Sequence, residues 1–215
     1  MSLAARSLKY YLGIGLQRLG ITAGISALIF VEFFILHAGE PDHIEYTVRL
    51  SLLMFSLFVM LFGPMYAMYG PNWYDSNVLM MGGRRRDIFW GVIAKEIFYV
   101  VSCLIIVIVA HTLAGTTSLI PYAVVMIGLS LPLSGIMRII GHNIKKHGRL
   151  PVIILGIVAG LCGAGMSMTQ TMGIDVYSYL PSTVSGLSIF MLICLGLYGV
   201  FQIFVYKLVS KAMVR

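Results

Sequence analysis

Long apolar runs are the feature that most constrains the fold of this chain. Six of them are each about 17 residues or longer, which is enough for an α-helix to cross the hydrocarbon core of a bilayer. They lie at about residues 20–36, 50–69, 88–110, 119–140, 151–168 and 184–206. Only 11% of the residues are charged, against about 25% in soluble domains. The sequence therefore predicts one all-α polytopic membrane domain over residues 1–215, with six transmembrane helices.

Basic residues are distributed unevenly between the two ends of these predicted spans. Thirteen of the 15 Lys and Arg fall near the termini, in the segment 70–87 or at the end of the fourth span. The opposite loops contain only Arg49, and Lys95 lies within the third span. Cytoplasmic loops carry such an excess of basic residues. We therefore predict cytoplasmic N- and C-termini in a cell membrane, which we expect to be a bacterial plasma membrane.

The net charge of +7 does not indicate a nucleic-acid surface, because the basic residues cluster at the ends of apolar runs. Residues 2–19 mix basic with apolar side chains, which predicts an amphipathic helix lying in the membrane interface. The three cysteines lie inside apolar runs without metal-type spacing, so we interpret them as buried thiols. His37 and His43 lie in an acidic loop of irregular spacing, and we predict no metal site there.

The segment 73–87 is the most polar part of the chain and lies between the second and third spans. The apolar residues 78–81 directly precede a glycine pair and three arginines. A loop that only fixes topology has no need of an apolar patch, although a helix lying among lipid headgroups would also use one. We therefore predict a short helix that docks on a soluble cytoplasmic partner. The arginines fit that role and also the simpler one of fixing topology.

This arrangement resembles the type-2 ABC permease family, in which a cytoplasmic helix between spans two and three precedes a small pair and basic residues. Here that part reads Met80-Met81-Gly82-Gly83-Arg84-Arg85-Arg86-Asp87. The resemblance implies a coupling helix over residues 75–87 that inserts into an ATPase subunit. It also makes 2–19 the elbow helix, and gives 169–183 short re-entrant helices. The residues implied in coupling are Asp75, Val78, Leu79, Met80, Met81, Gly82, Gly83, Arg84, Arg85 and Arg86.

The resemblance also implies which partners the chain needs. The sequence has no GxxxxGK[ST] phosphate loop, so we expect no cofactor on this chain and place ATP and Mg on a separate ATPase. One six-span unit is half of the family's usual permease. A second permease subunit is therefore implied, either identical or related.

Two carboxylates, Glu32 and Glu96, interrupt the predicted spans. Ionisable residues inside a membrane are candidates for function by default, and these two would line a translocation path or a subunit interface. The alternative for Glu32 is a neutral or locally hydrogen-bonded side chain in a packed interface. Lys95 is predicted to extend to the headgroups. For Glu96 we consider a basic partner on the coupling loop or on a neighbouring span.

Together these features predict the membrane subunit of an ABC exporter for an amphipathic or hydrophobic molecule such as a peptide, an antibiotic or a lipid-like compound. Cargo and direction follow from the resemblance alone. The alternatives are an accessory subunit of a membrane complex and an intramembrane enzyme. We expect no enzymatic activity, because the sequence has no nucleophile elbow, no HExxH pair and no paired intramembrane aspartates. Ser134 and His142 are poorly placed for a catalytic dyad, since His142 follows the same span.

Overall fold

Helices make up nearly all of the chain that the computed structural model describes, which is residues 3–39, 43–147, 181 and 183–212. Five of them are long and apolar enough to cross a membrane, namely α1, α2, α4, α5 and α6. The helices are α1 (Leu3–Leu36), α2 (His43–Trp73), α3 (Asp75–Met80), α4 (Arg85–Leu113), a short 3₁₀ helix (Thr117–Leu119), α5 (Ile120–His147) and α6 (Val184–Ala212). The all-α membrane prediction is confirmed for these residues. The fifth predicted span, 151–168, and most of 169–183 lie outside them.

The N-terminal segment is not a separate interfacial helix, which corrects the expectation for residues 2–19. Residues 3–36 form one continuous helix, and its first half packs against α4 and α2. The reason is that Tyr11, Arg18 and Thr22 lie on one face of α1 and are buried in the bundle. Part of the polar face of this segment therefore meets other helices, while Arg6, Lys9 and Gln17 stay exposed.

Small residues bring α5 close to two of its neighbours, α2 and α6. A Cβ on Gly141 would overlap the carbonyl group of Met68 in α2. On another side of α5, a Cβ on Gly135 would lie 2.7 Å from the Cβ of Phe201 in α6. Close backbone approach of this kind is how membrane helices gain van der Waals contact where the hydrophobic effect between them is weak.

Two apolar clusters hold the described helices together. The larger one lies between α2, α4, α5 and α6 and contains Phe55, Val59, Tyr99, Val107, Ile127, Leu131 and Tyr198. The smaller one lies beneath α3 and contains Tyr11, Ile14, Val78, Ile88 and Val92. The smaller cluster fixes α3 to α1 and α4, at the end of the bundle where Arg84 precedes α4 and Arg85 and Arg86 begin it. We call this end the basic end.

The turn between α3 and α4 requires both of its glycines. Gly82 has a φ of +82°, a conformation that L-residues with a Cβ rarely adopt. Its N–H donates to the carbonyl of Leu79 at 3.0 Å, and the N–H of Gly83 donates to the carbonyl of Val78 at 2.9 Å. This is the Schellman pattern of a helix C-terminus. A Cβ on Gly83 would lie 2.6 Å from Val78 Cγ1, so no side chain fits there.

Candidate functional site

The first residue of α3, Asp75, is buried and binds side chains from two membrane-spanning helices. Arg138 of α5 donates from Nη2 to Asp75 Oδ2 at 2.7 Å. The hydroxyl of Tyr11, on α1, donates to Oδ1 at 2.6 Å. The Tyr11 ring lies against Gly91 of α4, where a Cβ would overlap it. We call Asp75, Arg138 and Tyr11 the Asp75 cluster; it ties α3 to α1 and α5.

A second buried group of charges lies deeper in the bundle and centres on Glu96 of α4. Arg18 of α1 donates from Nη1 to Glu96 Oε2 at 2.8 Å, and Lys95 Nζ lies 3.1 Å from Oε1. The Arg18 guanidinium also stacks 3.5 Å above the Tyr99 ring. Tyr99 in turn shares a 2.9 Å hydrogen bond with Thr22. We call Arg18, Lys95 and Glu96 the Glu96 cluster; their side chains are at most 1% exposed.

The two clusters together bury more positive than negative charge. Three basic side chains, Arg18, Lys95 and Arg138, face two carboxylates, Glu96 and Asp75. Removing an ion from water costs several kcal/mol unless its charge is paired and its hydrogen bonds are made. Inside a membrane protein such a group is a candidate functional site. Glu96 thus has the neighbouring-span partner considered for it, and Lys95 lies in the interior instead of reaching the headgroups.

The predicted apolar docking patch divides into two faces of α3. Val78 is buried under the helix, and Leu79 is half-buried beside it. Met80 and Met81 are 78% and 52% exposed. The surface available to a partner is therefore the methionine pair.

The three arginines also differ among themselves. Arg84 and Arg86 are exposed, whereas Arg85 is half-buried and lines a narrow cleft with Arg138 and Gln202. The backbone N–H of Arg84 donates to Asp87 Oδ2 at 2.9 Å, which caps α4. Positive charge at a helix N-terminus is unfavourable by about 0.3–1 kcal/mol per group. The two exposed arginines therefore do not serve to stabilise the helix. Their presence is explained by fixing the membrane topology or by binding a partner.

A groove of about 270 Å³ adjoins the exposed methionines, lined by Arg6, Ser7, Val78, Met81 and Gly83. The Ser7 hydroxyl donates to the carbonyl of Asp87 at 3.3 Å. This bond joins the start of α1 to the start of α4. The groove therefore opens between elements that are fastened to each other, and it presents one basic and one methionine side chain.

The structure does not bring the two intramembrane glutamates together. Glu32 is exposed on α1, 14 residues beyond Arg18, or roughly 21 Å along the helix. Among the residues predicted for coupling, only Asp75 and Arg85 lie beside the buried charges. The residues that sequence reasoning missed are Tyr11, Arg18 and Arg138. The only feature of the sequence that indicates these residues is the spacing of polar side chains along helices that are otherwise apolar.

The described residues contain no group of His, Cys, Asp and Glu that is suited to hold a metal ion. Comparison with known proteins gives no relative, because no protein-family model, no curated protein and no solved structure matches the chain. The case for function therefore depends on the geometry of the two buried clusters and of α3.

Proposed function

We propose that this chain is the membrane-spanning subunit of an ATP-driven exporter of the ABC type, and that a separate ATPase docks on α3. The observation that carries the proposal is the contrast between the two faces of that helix. Its inner face is tied by Asp75 to α1 and α5. On its outer side, Met80 and the following Met81 are exposed at the basic end.

A partner bound to the outer face would act on the membrane helices through the inner face. Asp75 cannot move with α3 unless Tyr11 and Arg138 move as well or their hydrogen bonds to it break. Because a rigid connection transmits displacement better than a flexible loop, this attachment suits a helix that couples ATP hydrolysis to transport. The exposed Arg6, Arg84 and Arg86 favour a partner surface that is acidic around an apolar pocket.

The other parts of the proposal follow from the same assignment. ATP and Mg bind the ATPase, and a second copy of this chain or a related subunit completes the permease. The cargo is an amphipathic or hydrophobic peptide, antibiotic or lipid-like molecule, moved out of the cell. The basic end, with both termini, faces the cytoplasm of a bacterial cell.

Co-purification tests the proposal directly. The tagged chain, extracted from the membranes of its own cells, is expected to bring with it a P-loop ATPase that hydrolyses ATP. The double substitution Met80→Glu, Met81→Glu is expected to abolish this association, because it places two carboxylates on the docking surface. Leu113→Glu is the matched control, since Leu113 is 84% exposed at the far end of α4.

Two results would overturn the proposal. If the native chain brings no ATPase, it is an accessory subunit or works alone. If the methionine double variant keeps the ATPase as well as the Leu113 control does, docking takes place elsewhere. Both variants must accumulate in the membrane at the native level, which we expect because each changed side chain is exposed.

A further inference from the structure

The groove beside α3 lies close to the level of the lipid headgroups. Both tryptophans of the chain are exposed at the basic end, Trp73 by 64% and Trp90 by 55%. Exposed tryptophans of this kind are enriched where a membrane meets water. Trp90 is three residues beyond Asp87, or about one turn of α4, and the carbonyl of Asp87 accepts the hydrogen bond from Ser7 in the groove wall. The groove therefore lies where a lipid headgroup can reach it.

The surface around the groove is positively charged, and the nearby carboxylates are already engaged. Four exposed basic side chains lie at this end, namely Arg6, Lys9, Arg84 and Arg86. Residues 1–19 contain no Asp or Glu, and residues 70–94 contain only Asp75 and Asp87. Asp75 is buried within its own cluster, and Asp87 caps α4 through its bond from the Arg84 N–H. Charge complementarity therefore favours an anionic ligand from outside the chain.

The groove has room for a headgroup and not for a whole lipid. Its volume of about 270 Å³ is below the about 300–1,000 Å³ of sites that enclose drug-sized ligands. Its wall combines the guanidinium of Arg6 with the apolar side chains of Val78 and Met81. A guanidinium binds phosphate oxygens through two parallel hydrogen bonds, and the apolar wall suits the glycerol carbons beside a phosphate. Any acyl chains must then lie outside the groove.

The face of α1 that continues from Arg6 toward the membrane is open. Gly13 and Gly20 follow Arg6 at intervals of seven residues, which is about two helical turns each, and Gly24 lies about one turn further. A Cβ on any of these glycines would meet no atom of another described side chain within 4 Å. Gly20 also begins the first predicted span. This shallow face can accommodate an acyl chain directly below the groove, which a soluble anion would leave uncovered.

We propose that this groove binds the headgroup phosphate of an anionic phospholipid whose acyl chains lie along α1. Arg6 donates to the phosphate oxygens, and Val78 and Met81 contact the glycerol carbons. A zwitterionic lipid fits less well, because its headgroup brings a further cation to a surface that already carries an excess of them. Met80 does not line the groove, so it stays available to a protein partner while the lipid is bound.

Lipid binding by the full-length chain in a neutral detergent tests the site. Phosphatidylglycerol and phosphatidylcholine with the same acyl chains are titrated separately, and native mass spectrometry measures the bound fraction. The native chain is expected to bind one phosphatidylglycerol per chain at least about tenfold more tightly than phosphatidylcholine. Arg6→Gln is expected to remove most of this preference, because one hydrogen bond to a charged group contributes about tenfold or more in affinity. The assay contains no ATPase, so its result is independent of docking on α3.

Lys9→Gln is the matched control, since Lys9 is an exposed basic residue of the same helix that does not line the groove. It removes the same charge as Arg6→Gln and is expected to change the affinity by no more than about twofold. Met81→Glu places a carboxylate in the groove wall and is expected to weaken phosphatidylglycerol binding as Arg6→Gln does. A preference that is lost in these two variants and kept in Lys9→Gln supports the proposal.

Three results would overturn it. Equal affinity for the two lipids would show that the chain does not select an anionic headgroup. An equal loss in Lys9→Gln and Arg6→Gln would show that binding follows the net charge and not the groove. If glycerophosphoglycerol, the headgroup without acyl chains, bound as tightly as the whole lipid, the groove would belong to a soluble phosphate compound.

Discussion

The two buried clusters differ in charge balance. In the Asp75 cluster one carboxylate meets one guanidinium, and the Tyr11 hydroxyl occupies the second carboxylate oxygen. In the Glu96 cluster one carboxylate is shared between Arg18 and Lys95. A balanced pair is sufficient to hold helices together. A buried excess charge costs stability, so among the described residues the second cluster is the less favourable of the two.

The same helix serves both clusters. Tyr11 and Arg18 lie seven residues apart on α1, which places them on one face about two turns from each other. We expect α1 to connect them mechanically, so that a displacement of α3 reaches Glu96 through α1. Under the proposed function, the balanced cluster would attach α3 to the membrane helices, and the unbalanced cluster would receive its displacement.

The largest effect is expected from Glu96→Gln, which leaves Arg18 and Lys95 buried without a carboxylate. Breaking a buried pair in this way costs about 3–5 kcal/mol, and here two cations lose their partner. We expect little folded protein in the membrane, measured as the yield of monodisperse chain after detergent extraction. Glu32→Gln is the control, because Glu32 is exposed on α1. Equal yields for the two variants would show that Glu96 does not hold the bundle together.

The second-largest effect is expected from Asp75→Asn, which should lower the free energy of unfolding by about 3 kcal/mol. It removes the counter-charge of Arg138 at the basic end of the bundle. The double variant Asp75→Asn, Arg138→Met is expected to recover part of this loss, because no unpaired charge then remains. Thermal unfolding of the three proteins measures the effect. A double variant no more stable than the single one would contradict the pairing.

Tyr11→Phe is expected to cost less, about 1.5–3 kcal/mol, the contribution of one hydrogen bond to a charged group. The ring keeps its place against Gly91, so packing changes little. A double-mutant cycle with Asp75→Asn isolates this bond, and its two effects should not add. Tyr10→Phe is the neighbouring control, since the Tyr10 hydroxyl accepts only an exposed bond from Asn77 at 3.0 Å. If the two changes in unfolding free energy were additive, Tyr11 and Asp75 would not interact.

The smallest effect is expected from Lys95→Met, which removes the excess charge and leaves the pair between Arg18 and Glu96. We expect a change within about 1 kcal/mol of the native stability, because replacing a buried charge by an apolar side chain is often neutral or favourable. Arg18→Met removes an equal charge but should lower the free energy of unfolding more than Lys95→Met does. It loses both the ion pair with Glu96 of α4 and the stacking on Tyr99. A loss for Lys95→Met as large as that for Glu96→Gln would refute the idea of an excess charge.

Much of the fold follows from the sequence, because membrane helices depend on the length and apolarity of their runs. The five described spans contain the predicted segments, although the helices extend well beyond them; α2, for example, continues from the predicted end at Tyr69 to Trp73. The start of α3 at Asp75 also agrees with the sequence, but the coupling helix expected over residues 75–87 is shorter. It ends at Met80, because the turn at Gly82 and Gly83 terminates it, and residues 85–87 already belong to α4. These are local properties that a single stretch of chain specifies.

The buried clusters do not follow from the sequence, for two physical reasons. An amphipathic spacing such as that of Tyr11 and Arg18 fits a helix on the membrane surface as well as one whose polar face meets other helices. Pairing is also a long-range property, because Arg18 and Glu96 are 78 residues apart in the chain. Arg138 belongs to the basic residues at the end of the fourth predicted span, which we interpret from the sequence as fixing topology, yet it is 2% exposed in the bundle. Only packed helices reveal which basic residues face inward.

The most direct test of the account is photo-cross-linking from the docking surface in living cells. A benzophenone amino acid placed at Met80, which is 78% exposed, is expected to form an adduct with a P-loop ATPase. The same probe at Leu113, on the far end of α4, is expected to form none. An adduct with the ATPase at Met80 alone would place the partner on α3. If the probe at Met80 formed adducts with lipid and with no protein, in a cell where the chain is functional, the central claim that α3 is a docking helix would be contradicted.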